Sequence, residues 1–210
     1  MVSAQLDSFL KLTIVKRLFF LFLIAFIFSC CDVVKQMEQM GMLTKCDFLL
    51  KTIENTNLAG VNIQNIQKLS DLNFIDAARI SAAMTGKELP LTFTLNVEAR
   101  NPNASPASMQ RIDWILFIDD IEMANGANTQ QVMIPANQGT TIIPLQINSD
   151  LKKSLTGKSG NAILNFAFNL AKVGNTPSRI TLKAKPTILI GSFPLAYPGY
   201  ITVMQEFSSK

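Results

Sequence analysis

The chain has 210 residues, with 19 basic side chains, 15 acidic side chains and no histidine. The lack of histidine excludes Ser-His-Asp and Cys-His catalytic sets and removes the commonest transition-metal ligand. A net charge of +4, with no basic tract and only three Trp or Tyr residues, argues against nucleic-acid binding.

The N-terminal region has the layout of a bacterial secretory signal. Basic residues come first, followed by an unbroken apolar run, a small residue and a cysteine: Lys11, Lys16, Arg17, residues 18–28, Ser29 and Cys30. That order is typical of a secretory signal. A cysteine directly after the small residue indicates a lipobox, in which signal removal leaves an acylated, palmitate-bearing cysteine. We therefore expect residues 1–29 to be removed and Cys30 to be lipidated.

Other interpretations of this region fit less well. Cleavage before Cys31 would put Cys30 where a small residue is normally found, so Cys30 is the better acylation site. As an uncleaved anchor, the 11 residues 18–28 would cover about 16 Å, roughly half of a ~30 Å hydrocarbon core. As a core helix, the run lacks the polar face that a half-buried helix has.

The remaining 181 residues, 30–210, are nearly neutral and long enough for one domain with a core. Residues 30–46 are expected to be the acylated cysteine and a tether, about 50 Å long between Cys31 and the first strand if fully extended. Cys31 and Cys46 could form a disulfide in an exported protein. We favour the alternative, that Cys46 is a small buried residue at the start of the first strand.

From residue 48 onward, apolar residues alternate with polar ones. The clearest case is residues 91–99, where Leu91, Phe93, Leu95, Val97 and Ala99 share one face, as in a half-buried antiparallel strand. Further short strands are expected over residues 112–118, 132–134, 141–147, 179–190 and 200–207. Asn125–Gly126 resembles a hairpin turn, and residues 135–139 form another turn. Such spacing predicts a mainly β sandwich or barrel.

Two helical segments are expected to interrupt the strands. Ser70 is positioned to cap a helix that runs to about Met84, with apolar residues at helical spacing. Ser149 or Asp150 would cap a second helical region, which is broken at residues 157–160 and resumes from Asn161.

Residues 91–103, LTFTLNVEARNPN, resemble the late embryogenesis abundant (LEA) type 2 family, also called the water-stress and hypersensitive response (WHy) domain. In that family a long alternating strand ends in Asn-Pro-Asn. The later segments match in order, and residues 188–194 resemble the family's closing strand. Over residues 47–208 the resemblance implies a fibronectin-type-III-like or immunoglobulin-like antiparallel β-sandwich of about seven strands. It also implies a non-enzymatic protein, with stress protection as a further role.

Each motif with a catalytic appearance has a simpler structural explanation. Asp119 and Asp120 are expected to be solvated charges beside a hairpin, without the ligand spacing of a calcium loop. Residues 157–159, Gly-Lys-Ser, lack the first glycine of a phosphate-binding loop. Asn101 is expected to bond local backbone while Pro102 fixes the turn. Trp114 is expected to pack in the core.

The sequence therefore predicts a non-enzymatic, lipid-anchored β-sandwich that needs no cofactor or metal and acts as a binding or structural module of the cell envelope. Its partners would be the membrane, through acyl chains on Cys30, and an envelope protein. We expect it at the outer membrane, facing the periplasm. Phe193, Tyr197 and Tyr200 are the candidate interaction surface. The alternative function is a periplasmic carrier of an apolar ligand or lipid.

Overall fold

The computed structural model describes residues 40–64, 66, 68–171, 178–190 and 192–207. Eleven strands lie in these residues: β1 (Asp47–Leu58), β2 (Val61–Asn62), β3 (Pro90–Asn101), β4 (Ala107–Met109), β5 (Arg111–Ile118), β6 (Ile121–Asn128), β7 (Val132–Ile134), β8 (Gly139–Asp150), β9 (Ser178–Ile190), β10 (Phe193–Ala196) and β11 (Ile201–Phe207). Three α-helices lie wholly within these residues, α1 (Phe74–Thr85), α2 (Leu151–Ser154) and α3 (Gly160–Leu170), and residues 40–43 are helical as well.

The strands form two antiparallel sheets that enclose one apolar core, as the sequence predicts. The first sheet has the order β2-β1-β3-β8, and the second has the order β10-β9-β5-β6. Strand β11 also pairs with β9, and β4 pairs with β7 in a separate two-stranded ribbon. With the short strands β2, β4 and β7 set aside, and β10 and β11 counted as one edge, the expected seven strands remain. The β-sandwich is confirmed.

Strand β3 lies at the centre of the first sheet, between β1 and β8. Its alternating apolar residues all point into the core and are at most 4% exposed: Leu91, Phe93, Leu95, Val97 and Ala99. Because these side chains face one way, a register slip of one residue would turn the whole set outward. The expected half-buried strand is therefore confirmed.

The β5–β6 hairpin turns at Asp119–Asp120, so the prediction of a turn at Asn125–Gly126 is wrong. Both aspartates have positive φ, 49° and 65°, as a two-residue turn of type I′ requires. Asn125 and Gly126 lie inside β6, where Gly126 pairs with Trp114. Glycine is needed there because a side chain would collide with the indole ring.

Helix α1 begins later than predicted. Its N-cap is Asn73, whose Oδ1 accepts a hydrogen bond of 2.9 Å from the main-chain N–H of Asp76. Ser70 instead lies in a short 3₁₀ helix, Leu69–Asp71, that precedes α1. The second helical region agrees better, since Asp150 caps α2 and Ser159 caps α3 after the expected break.

The segment that was expected to be one closing strand over residues 188–194 is instead a hairpin. Strand β9 ends at Ile190, and β10 starts at Phe193 and runs back along it. After a bulge at residues 197–200, β11 continues along the same edge of β9. The second sheet therefore ends in an interrupted edge strand.

The sandwich has two distinct ends. At one, which we call the tether end, β1 begins at Asp47, β3 ends at Asn101 and β8 begins at Gly139. The opposite, helical end holds the start of β3, the end of β8 and the three helices, with α1 against β2 and α2 against β6 and β8. No helix within the described part of the chain combines the length and apolar character that crossing a bilayer requires.

Candidate functional site at the tether end

Asn101 is fully buried at the end of β3 and bonds local backbone, as predicted. Its Nδ2 donates to the carbonyl oxygens of Ser105 (2.9 Å) and Ile134 (3.1 Å). Its Oδ1 accepts from the main-chain N–H of Asn103 at 3.0 Å and from Asn103 Nδ2 at 2.6 Å. One amide side chain thus joins β3, the following loop and β7. These bonds supply the hydrogen-bond partners that a buried polar group requires.

Asn103 extends this network to the start of the described chain. Its Nδ2 also donates to the carbonyl oxygen of Met42 at 3.0 Å. The same oxygen accepts from the thiol of Cys46 at 3.4 Å. Met42 lies in the helical residues 40–43, and its carbonyl also accepts from the main-chain N–H of Lys45 at 3.1 Å. Two side chains therefore add to the bonding of a carbonyl at the C-terminal end of a helix.

Residues 40–46, which we call the docked segment, pack against the sandwich. They form a short helical turn, in which Leu43 is fully buried and Cys46 is 9% exposed. The expectation that Cys46 is a small buried residue is confirmed, but it lies just before the first strand, which begins at Asp47, and not at its start. The alternative disulfide partner, Cys31, lies outside the described residues, as does the predicted acylation site, Cys30.

The turn over residues 135–139 closes the network from the other side. Asn137 and Gln138 have positive φ, 58° and 67°. The main-chain N–H of Gln138 donates to the carbonyl of Asn101, and that of Asn137 donates to the carbonyl of Asn103, both at 2.8 Å. The Asn-Pro-Asn backbone is thereby held rigidly between the docked segment and this turn.

The three predicted surface residues lie along one edge of the second sheet rather than in one cluster. Phe193 starts β10 and is 77% exposed, and Tyr200 precedes β11 and is 49% exposed. Tyr197, between them, is half-buried, and its N–H donates to the carbonyl of Pro186 at 2.8 Å. These residues share an edge but not a pocket.

Two more exposed apolar side chains belong to this edge and were missed from the sequence. Leu189 on β9 is 41% exposed and Leu195 on β10 is 40% exposed. Together with Phe193 and Pro194 they form what we call the apolar hairpin. A signal was available, because the 20 residues 186–205 contain no charged side chain.

An ion pair lies beside Tyr200 in a shallow groove on β5 and β6. Arg111 Nη2 is 2.6 Å from Asp113 Oδ1, and this hydrogen bond lowers the pKa of the Asp113 carboxyl. Both side chains are nearly half exposed, so the pair is worth little in stability. Because the charges satisfy each other, the groove offers no free charged group from this pair.

The cavity between the two sheets is small and wholly apolar. It has a volume of about 30 Å³ and is lined by residues of both sheets, among them Phe48, Met109 and Ile201. Ligand pockets are typically about 300–1,000 Å³, at least ten times larger. The sandwich as described would have to open before an acyl chain could enter.

The adjacent carboxylates of Asp119 and Asp120 both bind Arg179. Asp119 Oδ1 accepts from the main-chain N–H of Arg179 at 2.9 Å, and Asp120 pairs with the Arg179 side chain. In the described ranges, no three carboxylate, thiol or imidazole groups come close enough to hold a metal ion. Trp114 is 6% exposed, which confirms its expected place in the core.

The structure thus defines an antiparallel β-sandwich whose N-terminal segment is docked through an Asn-Pro-Asn turn. No family model matches the chain, and no curated protein matches it.

Solved structures with likeness to the chain include a protein from Archaeoglobus fulgidus, at 14% identity and a TM-score of 0.33, covering 77% of this chain and 98% of that one. A solution structure from Arabidopsis thaliana has 14% identity and a TM-score of 0.34, covering 56% and 70%. A third, described as a candidate late embryogenesis abundant (LEA) protein, has 11% identity and a TM-score of 0.34, covering 83% and 82%. That is the family which residues 91–103 resemble. Likeness at these scores does not assign a function.

Proposed function

We propose that this chain is a lipid-anchored, non-enzymatic β-sandwich of the bacterial cell envelope, acting as a binding or structural module. The observation that carries the proposal is the N-terminal order of basic residues, apolar run, Ser29 and Cys30. The bond between Asn103 and the Met42 carbonyl ties residue 42, twelve residues after Cys30, to the tether end of the domain. Acyl chains on Cys30 would then hold the domain in a defined orientation.

The length of the link supports a short and directional attachment. Nine residues, 31–39, separate Cys30 from Met40. Fully extended, such a link spans about 35 Å, less than the ~50 Å that the whole tether would reach. The docked segment shortens it because residues 40–46 pack on the domain. The tether end therefore faces the bilayer, and the helical end faces away.

The anchor chemistry also favours stable attachment. A single acyl chain gives only marginal membrane binding, whereas several chains hold a protein stably. A bacterial lipoprotein carries several on its first cysteine. We place the domain at the outer membrane, facing the periplasm, where an envelope protein would be its partner. The resemblance of residues 91–103 to the LEA type 2 family adds stress protection to the proposed role.

A carrier of an apolar ligand has less support. The apolar lining of the cavity suits a lipid, but its volume of about 30 Å³ is far below the roughly 150 Å³ of a cavity that binds a molecule as small as benzene. Lipid that co-purifies with the protein, detected by native mass spectrometry, would favour the carrier.

The proposal is tested by replacing each of two adjacent cysteines in turn. In cells fed radioactive palmitate, Cys30→Ser should lose the label and leave the membrane fraction. Cys31→Ser, the matched control, should keep both the label and the location. Labelled, membrane-bound Cys30→Ser protein would overturn the assignment.

A further inference from the structure

The apolar hairpin is unusually exposed for an uncharged segment. Phe193 is 77% exposed, and Leu189 and Leu195 are each about 40% exposed. The four residues of β10 are all exposed. By the register of β9 and β10, Phe193 and Leu195 lie on one face of the hairpin and Leu189 and Pro194 on the other, so the hairpin exposes apolar groups on both faces. Exposed apolar groups gathered in this way mark a place where a partner or a membrane covers the protein.

The hairpin lies at the tether end, as a chain of hydrogen bonds shows. Asn101, at the end of β3, bonds the carbonyl of Ile134, and Ile134 pairs with Ala107 on β4. Just after β4, the N–H of Gln110 donates to the carbonyl of Thr187 at 2.8 Å. Thr187 is three residues from the end of β9. The tip of β9 and β10 is therefore at the same end as the docked segment.

A shared cavity supports the same placement. Phe48 follows the docked segment by two residues, and Pro186 lies near the end of β9. Both line the small cavity between the sheets. The attachment point of the tether and the base of the hairpin thus pack against the same part of the core.

We propose that the apolar hairpin inserts into the surface of the lipid bilayer that holds Cys30, giving the domain a second membrane contact. This inference rests on the lipid anchoring proposed above. The occupant is lipid because the link between Cys30 and Met40 keeps the tether end within about 35 Å of the membrane surface. Insertion of this segment also avoids the free-energy cost of moving a charged side chain into lipid, because residues 186–205 carry none.

The residues behind the tip suit the depth that this orientation gives them. Tyr197 and Tyr200 follow β10 on the same edge, farther from the hairpin turn. Tyrosine favours the membrane–water interface, where its ring meets apolar chains and its hydroxyl meets water. Phenylalanine and leucine at the tip would enter the acyl-chain boundary, about 5–10 Å deep for an interfacial segment.

Two exposed phenylalanines at opposite ends make a matched test. Phe193 is on the hairpin, and Phe74, 88% exposed, starts α1 at the helical end. The variants Phe193→Trp and Phe74→Trp would be made in the membrane-extracted lipoprotein and reconstituted into phosphatidylethanolamine–phosphatidylglycerol vesicles. Wild-type protein supplies the baseline from Trp114, the one natural tryptophan.

Brominated acyl chains quench tryptophan only where the indole reaches them. We expect the emission of Phe193→Trp to be blue-shifted and to be quenched about twofold or more by brominated lipid. The emission of Phe74→Trp should be the same in vesicles with and without bromine. Equal quenching of the two variants would overturn the inference while leaving the anchor intact. A blue shift without quenching would also overturn it and would indicate that the hairpin is covered by protein, a second copy of this chain, rather than by lipid. Protein that does not float with the vesicles would contradict the proposed function itself.

Discussion

Gly126 lies directly opposite Trp114 in the β5–β6 ladder, and a Cβ added at Gly126 would lie 2.6 Å from the indole Cζ2. Real Cβ atoms do not approach another heavy atom so closely. The ring is 6% exposed and packed in the core, so it cannot move aside freely. Glycine is therefore required at position 126 to leave space for the indole ring, and it does not form a turn.

Gly126→Ala should destabilise the fold by about 1–3 kcal/mol, the usual cost of overpacking a core. Urea unfolding of detergent-solubilised protein, followed by circular dichroism, would measure it. Gly41→Ala is the matched control, because nothing lies within 4 Å of a Cβ built there. Equal unfolding midpoints for the two variants would contradict the crowded geometry.

Asn101→Ala should cost about 2–4 kcal/mol of unfolding free energy, because it leaves buried carbonyl and N–H groups without partners. The affected groups belong to Ser105, Ile134 and Asn103. Asn125→Ala removes only an exposed bond to Glu122 and should change stability by less than about 0.5 kcal/mol. A small effect of Asn101→Ala in the same unfolding assay would show that the network is not structural.

Asn103→Ala should loosen the docked segment without unfolding the sandwich. The variant loses two bonds of Asn103 Nδ2, one to the Met42 carbonyl and one to Asn101 Oδ1, but Asn101 Oδ1 keeps its bond from the main-chain N–H of residue 103. Loss of the bond to Met42, worth about 1–2 kcal/mol, should raise local opening of the docked segment roughly 5- to 30-fold. Cys46 reports this opening, since its buried thiol must be exposed before iodoacetamide can react. Peptide mapping by mass spectrometry separates Cys46 from Cys31. Unchanged Cys46 alkylation in the variant would contradict the clamp.

The Cys46 thiol gives a pH dependence of stability with a defined sign. Burial first, and the nearby Asp47 charge second, raise the pKa of this thiol above its ordinary value of 9.0. Above pH 9.0 the unfolded chain loses the proton while the folded chain still holds it. The stabilising contribution is therefore complete below pH 9.0 and lost as the pH rises through the higher folded value.

Urea midpoints measured between pH 8 and pH 10.5 would test this. The wild-type protein should lose more stability over that range than Cys46→Ala, which has no thiol to titrate. Parallel losses in the two proteins would show that the thiol is not held protonated by the fold.

The sequence predicts best where one local pattern and the tertiary structure agree. The alternation at residues 91–99 specifies a strand by itself, and the burial of Phe93 and Leu95 confirms it. The local role of Asn101 was also predictable, because a short amide before proline readily bonds nearby backbone. What the sequence does not contain is the partner of Asn103, which lies 61 residues away at Met42.

The errors arose where long-range packing overrides a local preference. Asn125–Gly126 is a favourable turn pair, yet Trp114 requires the glycine in a strand. Asp119 and Asp120 adopt the positive φ angles of the turn, and Arg179 binds both of their carboxylates. Arg179 is 60 residues from Asp119 and 59 from Asp120 in the sequence. Neither contact can be recognised from the ten or twenty residues of sequence around the turn.

The most direct test of the central claim is the mass of the mature N-terminus. Protein extracted from membranes would be digested, and its first peptide analysed by mass spectrometry. Lipid anchoring predicts a peptide that begins at Cys30 and carries acyl chains on that residue. A peptide that begins at Met1, or an unmodified Cys30, would contradict the proposed attachment and the orientation derived from it.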